Sequence, residues 1–341
     1  MIEKCSIIVL NYNGKQFLKE CLDSLRDQTY KDYKVYVLDN ASTDGSREYI
    51  SQDFPWVGLI RASENFGTAE GSNVGVRNTS GEYIVLMSND IRVDPKCIER
   101  LVSTLESDGS IGICSGMLVK YAPLISGEHL IDNAGGVIDK FGFPLLLHPD
   151  EVYRKDDSRI EEAFFSFGGG FIIRRSLFDR VGGFDPKYFT LSDDMDLSWR
   201  VRLTGHKVVV DHSAVIYHKV SATLGPLFAR SQKRFWSERN SLRTLLKNYQ
   251  FWTLFRILPQ YLFLLLLEAG FYLAILRADL FCSLLKALVW NSVNLRDTAA
   301  LRRQVTAFRS VDDRAILGKM HKGIIKLETA SLLLAGKIRI Q

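Results

Sequence analysis

The stretch that decides the fold lies near the start of this 341-residue chain, where residues 5–40 read CSIIVLNYNGKQFLKECLDSLRDQTYKDYKVYVLDN. Residues 6–10 form a short, mostly apolar and β-branched run, which favours a buried strand. Apolar residues then recur at helical spacing across residues 15–28, which predicts an amphipathic helix. Residues 35–38 repeat the strand pattern. This order predicts two parallel strands joined by a crossover helix.

The same alternation continues along the chain and predicts a doubly wound α/β fold. In such sheets, ligands bind at the carboxyl ends of the strands. The further predicted strands are 57–60, 83–87, 171–173, 208–210 and 214–217, and the further predicted helices are 43–52, 68–78, 194–204 and one with Pro95 at its first position, with irregular loops and short strands over 120–165.

Polar residues directly follow three of the predicted strands, as Asn11-Tyr12-Asn13, Asp39-Asn40 and Asn89-Asp90. The carboxylate of Asp90 suits a hard cation such as Mg²⁺ or Mn²⁺, although Asn and Asp are also common in turns. Asp39 can accept a hydrogen bond from a nucleobase N–H. Alternatively, the segment after Asp39 caps the next helix through Ser42 or Thr43.

Three carboxylates lie within four residues, at Asp193, Asp194 and Asp196. One interpretation is structural, because the helix dipole favours acidic residues at a helix N-terminus. The other is catalytic: adjacent acids raise each other's pKa, which can prepare one of them as a general base near neutral pH.

His218 and a glycine triplet at 168–170 complete the set of candidates. His218 ends a predicted strand and becomes a candidate metal ligand only if it faces Asp90; a structural role is the alternative. The glycines either bring the backbone close to a ligand or form a plain loop.

The order of these motifs resembles that of the family 2 inverting glycosyltransferases, which have the GT-A fold. The resemblance covers about residues 5–220 and, within the family, is greatest to rhamnosyltransferase-like members of polysaccharide assembly. It implies a Rossmann-like, mixed but mostly parallel sheet of the nucleotide-diphospho-sugar transferase type. It also implies a catalytic domain at 1–222, whereas the basic and apolar composition of residues 223–341 predicts a helical, membrane-associating region there.

The resemblance also implies roles for individual residues. Asp194 matches the catalytic base, with Asp193 beside it, and Asp90 and His218 match the ligands of Mg²⁺ or Mn²⁺. The chain departs from the family's Asp-x-Asp motif, because Ser88 stands at its first position and puts metal affinity in question. The residues implied in nucleotide and donor binding are Asn11, Tyr12, Asn13, Asp39, Asn40, Asn65, Gly67, Asn73, Asn89, Gly169 and Gly170.

The activity implied by the resemblance is transfer of a sugar, with inversion, from a nucleoside-diphosphate donor to an acceptor hydroxyl. The favoured donors are dTDP-rhamnose and UDP-sugars, and the favoured acceptor is a lipid-linked glycan of polysaccharide or cell-envelope assembly. The alternative is a weak or inactive scaffold that binds sugar nucleotides. A nucleotidylyltransferase is disfavoured, because it would need a glycine-rich loop with Arg and Lys where this chain has Asn11-Tyr12-Asn13-Gly14.

Charge divides the chain into two portions. Residues 219–341 carry 20 Lys and Arg against 7 Asp and Glu, a balance of +13, whereas residues 1–218 have a balance of −8. The acidic portion suits metal and polyhydroxyl ligands rather than nucleic acid, and the basic portion suits an anionic membrane surface. The five cysteines are scattered with no CxxC pair, which indicates reduced thiols in a cytosolic setting.

The C-terminal portion contains an apolar stretch, 257–276, that is long enough to span a membrane. Glu268 near its middle disfavours a crossing, as do the basic flanks, which hold Arg243, Lys247, Arg256, Arg277, Lys286 and Arg296. We therefore expect a basic helix at 226–248, followed by helices at 257–276 and 278–293 that lie in the membrane interface. A packed helical subdomain, a homo-oligomer contact and a single span are the alternatives.

The expected location is the cytoplasmic face of the cell membrane. The apolar run at residues 5–10 is too short for the hydrophobic region of a secretory signal peptide. The front of the protein is therefore expected to stay in the cytoplasm.

Overall fold

The computed structural model describes residues 3–219 and 228–334. Its strands form one large mixed sheet and one small two-stranded sheet. The strands are β1 (Cys5–Asn11), β2 (Tyr33–Asp39), β3 (Gly58–Arg61), β4 (Tyr83–Ser88), β5 (Ile91–Val93), β6 (Ile111–Lys120), β7 (Ile131–Asn133), β8 (Gly136–Ile138), β9 (Pro144–Leu146), β10 (Ile160–Glu162), β11 (Gly170–Arg174) and β12 (Lys207–His218).

The large sheet has the strand order β10-β12-β6-β11-β4-β1-β2-β3, with β5 paired to β12 and β7 paired to β6. Strands β4, β1, β2 and β3 are all parallel, which confirms the unit predicted from the opening stretch. Strand β11 runs antiparallel between β4 and β6, and β12 is parallel to β6. The two extended stretches predicted at 208–210 and 214–217 are one strand, β12, whose register shifts between Asp211 and Val215.

The helices follow the predicted alternation and then continue as a helical C-terminal region. Helix α4 begins at Cys97, so Pro95 precedes the helix instead of occupying its first position. The helices are α1 (Lys15–Arg26), α2 (Ser46–Asp53), α3 (Gly67–Arg77), α4 (Cys97–Ser107), α5 (Arg175–Arg180), α6 (Asp193–Leu203), α7 (Arg230–Asn248), α8 (Phe251–Ala274), α9 (Ala278–Val293), α10 (Leu295–Phe308), α11 (Asp313–Leu317) and α12 (Ile325–Leu334).

The first crossover helix shows why the sheet forms. Helix α1 buries Leu18, Cys21, Leu22 and Leu25, which lie on one helical face. These side chains join alternate residues of β1 in one apolar core. Burial of this stripe removes apolar surface from water and stabilises the fold by roughly 25 cal/mol per Å² of apolar surface buried. The spacing in the sequence therefore decides which face of α1 covers the sheet.

Helices α7 to α12, which we call the C-terminal helical region, pack on the α/β body, residues 3–219, through a second apolar core. That core joins Trp199 of α6 to Leu245 of α7 and Tyr261 of α8. Among the described residues, α8 alone is long and apolar enough, by length and composition, to cross a membrane. The predicted domain boundary between residues 222 and 223, and the predicted helix start at 226, lie outside the described residues.

A buried ionic cluster also joins α7 to the α/β body. Lys247 lies 2.9 Å from Asp185 and 2.8 Å from Asp196, and Arg243 lies 2.7 Å from Asp185. Asp196 also pairs with Arg200 at 2.8 Å, as the i,i+4 spacing predicts. The expectation that Arg243 and Lys247 contact anionic lipid is therefore wrong, since both side chains are buried against acidic partners.

Candidate active site

Side-chain amides join the carboxyl ends of β1, β2 and β4. Asn11 donates from Nδ2 to Asp39 Oδ1 at 3.1 Å and to Ser42 Oγ at 3.2 Å. Asn11 Oδ1 accepts a hydrogen bond of 2.7 Å from Asn89 Nδ2. Asn11, Asp39 and Asn89 are all buried. The structure thus brings together three of the predicted nucleotide-binding residues at one edge of the sheet, where the strand-end rule places a ligand.

The loops after β1 and β2 are tied together through Ser42 and Asn13. The Asn13 backbone N–H donates to Ser42 Oγ at 2.9 Å, and the Thr43 N–H donates to Asn13 Oδ1 at 2.8 Å. Helix α2 begins later, at Ser46, after Gly45 with φ +81°. The capping interpretation of Ser42 and Thr43 is therefore wrong.

Asp39 is buried, and both of its carboxylate oxygens have partners within the protein. Arg47 of α2 donates from Nε to Asp39 Oδ2 at 2.5 Å, and the Ser42 N–H donates to the same oxygen at 3.1 Å. Arg47 also donates to the carbonyl of Ala62 at 2.9 Å. Sequence reasoning missed Arg47, the cation that compensates this buried charge; its place in the first turn of the helix after Asp39 is the only signal for it.

Gly14 was also missed as part of this edge. A Cβ atom at Gly14 would lie 1.9 Å from Asn89 Nδ2 and 2.9 Å from Asn11 Oδ1. No side chain can occupy that space without displacing Asn89. The Asn11-Tyr12-Asn13-Gly14 turn therefore needs its glycine so that two strand ends can approach each other.

Asn40, Asn65 and Gly67 form a second tied segment. Asn40 donates from Nδ2 to Asn65 Oδ1 at 2.9 Å and to the Gly67 carbonyl at 3.0 Å. Gly67 has φ +76°, and a Cβ there would lie 2.0 Å from the carbonyl oxygen of Phe189. Gly67 thus brings the start of α3 against the loop that leads to Asp193.

Two predicted residues differ from this pattern. Tyr12 is half-buried. Asn73 is buried in α3 and bonds to the backbone of Phe184 in both directions, at 3.0 and 2.9 Å. The amide of Asn73 thereby fastens α3 to residue 184 and has a structural task in this arrangement.

The predicted metal ligands face each other. His218 Nε2 lies 3.8 Å from Asp90 Oδ1, and His218 Nδ1 lies 2.9 Å from Asp132 Oδ2. Burial alone would lower the pKa of His218, but the hydrogen bond to Asp132 and the negative charges of Asp90 and Asp132 outweigh it and raise that pKa. Asp132, which the sequence did not single out, orients the ring so that Nε2 points toward Asp90.

This donor set fits a divalent cation that takes further ligands from its substrate. No group of three or more His, Cys, Asp or Glu side chains able to hold a metal occurs among residues 3–219 and 228–334. Mg²⁺ is usually bound by one or two carboxylates together with substrate phosphates and water. The Oγ of Ser88 is buried and has no hydrogen-bond partner among the described residues. Asp90 and His218 are therefore a partial site.

Asp193 and Asp194 open helix α6 and point in different directions. Asp193 Oδ2 accepts a hydrogen bond from Thr68 Oγ1 at 2.7 Å. Asp194 Oδ2 accepts from the Gly168 N–H at 3.1 Å, and its Oδ1 accepts from the Met195 N–H at 2.8 Å. The dipole of α6 and these N–H groups place the carboxylate of Asp194 against the glycine loop.

The electrostatics of this pair suit a general base. Burial and the adjacent charge of Asp193 raise the pKa of Asp194 to about 7, against the lowering effect of the N–H groups of Met195 and Gly168. Burial also raises the pKa of Asp193, and the Thr68 hydroxyl opposes that shift. A carboxylate with a pKa near neutrality can accept a proton efficiently near neutral pH.

The glycine triplet has three separate tasks. A Cβ at Gly169 would lie 2.5 Å from Leu118 Cδ2, and one at Gly170 would lie 2.4 Å from Ile216 Cδ1, so packing accounts for both glycines. Gly168 instead donates its N–H to Asp194. Because Gly170 pairs with Met87 across β11 and β4, Gly168 and Asp194 lie at the same sheet edge as Asp90.

The fold and this edge define a class of α/β proteins with a polar site at the carboxyl ends of parallel strands. The family model described as Glycosyl transferase family 2 matches residues 6–182, more than half of the chain. The chain therefore belongs to glycosyl transferase family 2, and the GT-A fold predicted from the motifs is confirmed.

Curated relatives carry compatible names. An uncharacterised glycosyltransferase of Rickettsia typhi is 27% identical over 221 residues, which are 63% of either chain. The N-acetylglucosaminyl-diphospho-decaprenol L-rhamnosyltransferase of Mycobacterium tuberculosis is 26% identical over 244 residues, 65% of this chain and 78% of that protein. The match thus spans under two thirds of the Rickettsia protein.

Solved structures agree on the fold. The chain resembles GalNAc-T7 in complex with UDP, GalNAc and Mn²⁺, with a TM-score of 0.57 at 17% identity over 72% of this chain and 48% of that one. It also resembles the Pyrobaculum calidifontis mannosyltransferase PcManGT with GDP-Man and Mn²⁺, with a TM-score of 0.51 at 16% identity over 90% of this chain and 86% of that one. At these identities the likeness establishes the fold alone.

Proposed function

We propose that this chain transfers a sugar from a nucleoside-diphosphate donor to a hydroxyl group of a glycan acceptor, with inversion at the anomeric carbon. The observation that carries the proposal is Asp194, a carboxylate with a pKa raised to about 7, at the same sheet edge as Asp90 and His218. Asp194 takes the proton from the acceptor hydroxyl. That oxygen attacks the anomeric carbon opposite the bond to the diphosphate, and this bond breaks.

Asp90 and His218 would hold a Mg²⁺ or Mn²⁺ ion. Such an ion, when bound, neutralises negative charge on the diphosphate. Asp132 holds the His218 ring in place from Nδ1 at 2.9 Å. The Mn²⁺ in the solved complexes of GalNAc-T7 and PcManGT supports this assignment by analogy.

The nucleotide would lie along the ends of β1, β2 and β4, over Asn11, Asn13, Asn40 and Asn89. Asp39 would accept a hydrogen bond from the base and Tyr12 would border it. The remaining assigned donor-binding residues are Asn65, Gly67, Asn73, Gly169 and Gly170, of which Asn73, Gly169 and Gly170 also have the packing tasks given above.

The proposed donor is dTDP-rhamnose or a UDP-sugar, and the proposed acceptor is a lipid-linked glycan of cell-envelope assembly. The name of the Mycobacterium tuberculosis relative, an N-acetylglucosaminyl-diphospho-decaprenol L-rhamnosyltransferase, supports both choices. We keep 1–222 and 223–341 as the proposed catalytic and membrane-associating portions.

The proposed membrane contact is the outer face of α8 and α9. One face of α8 packs on the protein through Ile257, Tyr261, Leu264 and Leu265, and Glu268 on the same face pairs with Lys326 at 2.6 Å. The opposite face is apolar and exposed. Its side chains on α8 are Phe251, Trp252, Phe255, Leu262, Phe263, Leu266, Leu267, Phe271 and Leu273, and α9 adds the exposed side chains of Leu285, Val289 and Val293.

This arrangement favours helices that lie in the membrane interface over a single span. Soluble monomers rarely expose a contiguous apolar patch of this kind. Contacts of Ile257 near one end of α8 and Glu268 near the other hold the helix along the protein surface, whereas a spanning helix would have to leave that surface. We therefore propose that the enzyme is a peripheral protein, and the proposed side is the cytoplasmic leaflet.

The nucleotide site is tested by thermal unfolding of the purified protein with UDP, dTDP and GDP, each with and without Mn²⁺. A ligand that binds only the folded state raises stability by about 2.7 kcal/mol at one hundred times its Kd. We expect a Mn²⁺-dependent rise with UDP or dTDP that Asp90→Asn removes and the exposed control Asp27→Asn keeps. A rise without Mn²⁺ would mean that Ser88 marks a metal-independent site, and no rise with any nucleotide would contradict the proposal.

The membrane face is tested by sedimentation with vesicles that contain anionic lipid. The double variant Trp252→Ser and Phe255→Ser should lose most binding, because two large exposed aromatic side chains are removed from the interface. Ile125→Ser is the matched control, since Ile125 is an exposed apolar residue of the α/β body. Equal binding by both variants would contradict the assignment of this face.

A further inference from the structure

The loop that leads into Asp193 and Asp194 has an unusual backbone. Leu191 and Ser192 have φ values of 68° and 63°. The left-handed region costs a residue with a side chain roughly 1–2 kcal/mol. Such a conformation persists only where surrounding contacts hold it. Contacts from other parts of the protein must therefore hold residues 190–192 in this conformation.

On one side, the loop is held by Asn240, a fully buried residue of α7. Its Nδ2 donates to the carbonyl of Thr190 at 2.9 Å and to the carbonyl of Leu191 at 2.7 Å. Its Oδ1 accepts from Arg239 Nε at 2.9 Å, which fixes the orientation of the amide. One side-chain amide thus binds two successive carbonyls of the strained loop.

Further contacts of α7 support the same loop. Tyr188 donates from its hydroxyl to the backbone carbonyl of Asn240 at 3.1 Å, and Phe189 stacks on Trp236 with a centroid distance of 5.1 Å. From the other side, the Thr68 N–H donates to the Phe189 carbonyl at 2.6 Å. The loop is therefore clamped between α7 and the start of α3.

We infer that Asn240 is a positioning residue for Asp194, so that helix α7 is part of the catalytic apparatus. This inference rests on the proposed role of Asp194 as the base. The Ser192 carbonyl accepts the Asp196 N–H at 3.0 Å in the first turn of α6, so the direction of α6 is set where the strained loop ends. Release of the loop by loss of Asn240 would shift Asp194 away from Gly168.

The test compares Asn240→Ala with Asn291→Ala. Asn291 is a buried residue of α9 whose Nδ2 donates to the carbonyls of Arg239 at 3.0 Å and Ala287 at 2.9 Å. It offers the same chemistry within the same helical region but has no hydrogen bond to the loop. Loss of the Asn240 amide removes three hydrogen bonds and loss of the Asn291 amide removes two, so a general loss of stability should be of the same order in both variants.

Two readouts separate positioning from stability. In Asn240→Ala, hydrogen exchange of the amides of residues 193–196 should rise about tenfold or more, and kcat should fall at least tenfold. The kcat and KM are measured with the nucleotide sugar whose diphosphate stabilises the protein most, and the acceptor is water or a lipid-linked N-acetylglucosamine. The Kd of the Mn²⁺–nucleotide complex and the KM of the donor should stay within about twofold. Asn291→Ala should leave all four quantities within about twofold.

The inference is overturned if Asn240→Ala matches Asn291→Ala in kcat and in exchange at 193–196. It is also overturned if nucleotide binding falls in step with kcat, because that marks general unfolding.

A second variant guards against failure to fold. Leu191→Gly accepts the left-handed backbone without strain, so the double variant Asn240→Ala, Leu191→Gly should recover part of the lost kcat. No recovery in a folded double variant contradicts the inference. Asp194→Asn is measured alongside: if it retains turnover, the proposed base is wrong, whereas the exchange data still report whether Asn240 holds the loop.

Discussion

The proposed nucleotide edge, formed by Asn11, Asp39 and Asn89, and the proposed base loop, residues 190–192, are built in different ways, although they lie at one end of the same sheet. At the nucleotide edge, Asn11, Asp39 and Asn89 each follow their own strand and bond to one another. At the base loop, the backbone of residues 190–192 is held by Asn240, which is about 50 residues further along the chain. The first arrangement joins the ends of neighbouring strands, and the second joins a loop to a helix of the C-terminal helical region, so different substitutions should damage them.

The largest expected effect separates chemistry from binding. Asp194→Asn removes the proton acceptor and keeps the size of the side chain, so turnover should fall by about 10²–10⁴-fold. The stabilisation by Mn²⁺ and UDP or dTDP should persist, because the nucleotide edge has no part in the change. Asp179→Asn, an exposed substitution on α5, is the control. Near-normal turnover of Asp194→Asn would remove the assignment of the base.

The next effect tests whether the α/β body depends for its stability on the C-terminal helical region. Lys247→Met leaves the buried carboxylates of Asp185 and Asp196 without one of their cations. Removal of one partner of a buried ion pair typically costs about 3–5 kcal/mol. We expect a loss of that order in the free energy of unfolding, measured with urea.

The matched control for Lys247 is Lys319→Met. Lys319 pairs with Glu162 at 3.0 Å on the surface, and such pairs contribute about 0–1 kcal/mol. If the free energy of unfolding falls equally in the two variants, α7 does not stabilise the α/β body through this cluster.

The third effect tests the nucleotide edge. Gly14→Ala places a Cβ where Asn89 Nδ2 lies only 1.9 Å away, so Asn89 must move and its bond to Asn11 breaks. Overpacking of this kind costs about 1–3 kcal/mol, and the nucleotide-dependent rise in unfolding temperature should shrink. Gly109→Ala is the control, because a Cβ at Gly109 meets no atom within 4 Å. Equal behaviour of the two variants would show that the edge tolerates a displaced Asn89.

The same contrast explains how much the sequence could predict. The parallel strands, the crossover helices and the strand-end residues Asn11, Asp39 and Asn89 follow from patterns that span a few residues each. The sequence alone could not predict that Asp90 and His218 face each other, because no local pattern brings β4 and β12 to one end of the sheet. The family order of motifs supplied that link, and the observed distance of 3.8 Å agrees with it.

Asp132 and the acidic partners of Lys247 could not be predicted, because no local pattern or motif links them to the residues they contact. Asp132 orients His218 from 86 residues away, and Lys247 pairs with Asp196 across 51 residues. The positive charge of the C-terminal portion predicted a lipid contact for Arg243 and Lys247, but charge alone does not distinguish a lipid headgroup from a buried carboxylate. Only the fold decides which of the two a basic helix meets.

The smallest expected effect sharpens the comparison at the base itself. Asp194 must be ionised to accept a proton, and its pKa is raised to about 7 by burial and by Asp193. Turnover should therefore rise with pH, from about one tenth of its maximum at pH 6 to a plateau above pH 8. Asp193→Asn removes the neighbouring negative charge, which lowers the pKa of Asp194 and moves the acidic limb of the profile to lower pH. Asp179→Asn should leave the limb in place. A limb that stays at the same pH in Asp193→Asn would mean that burial within the clamped loop, rather than the paired carboxylates, sets the pKa of the base.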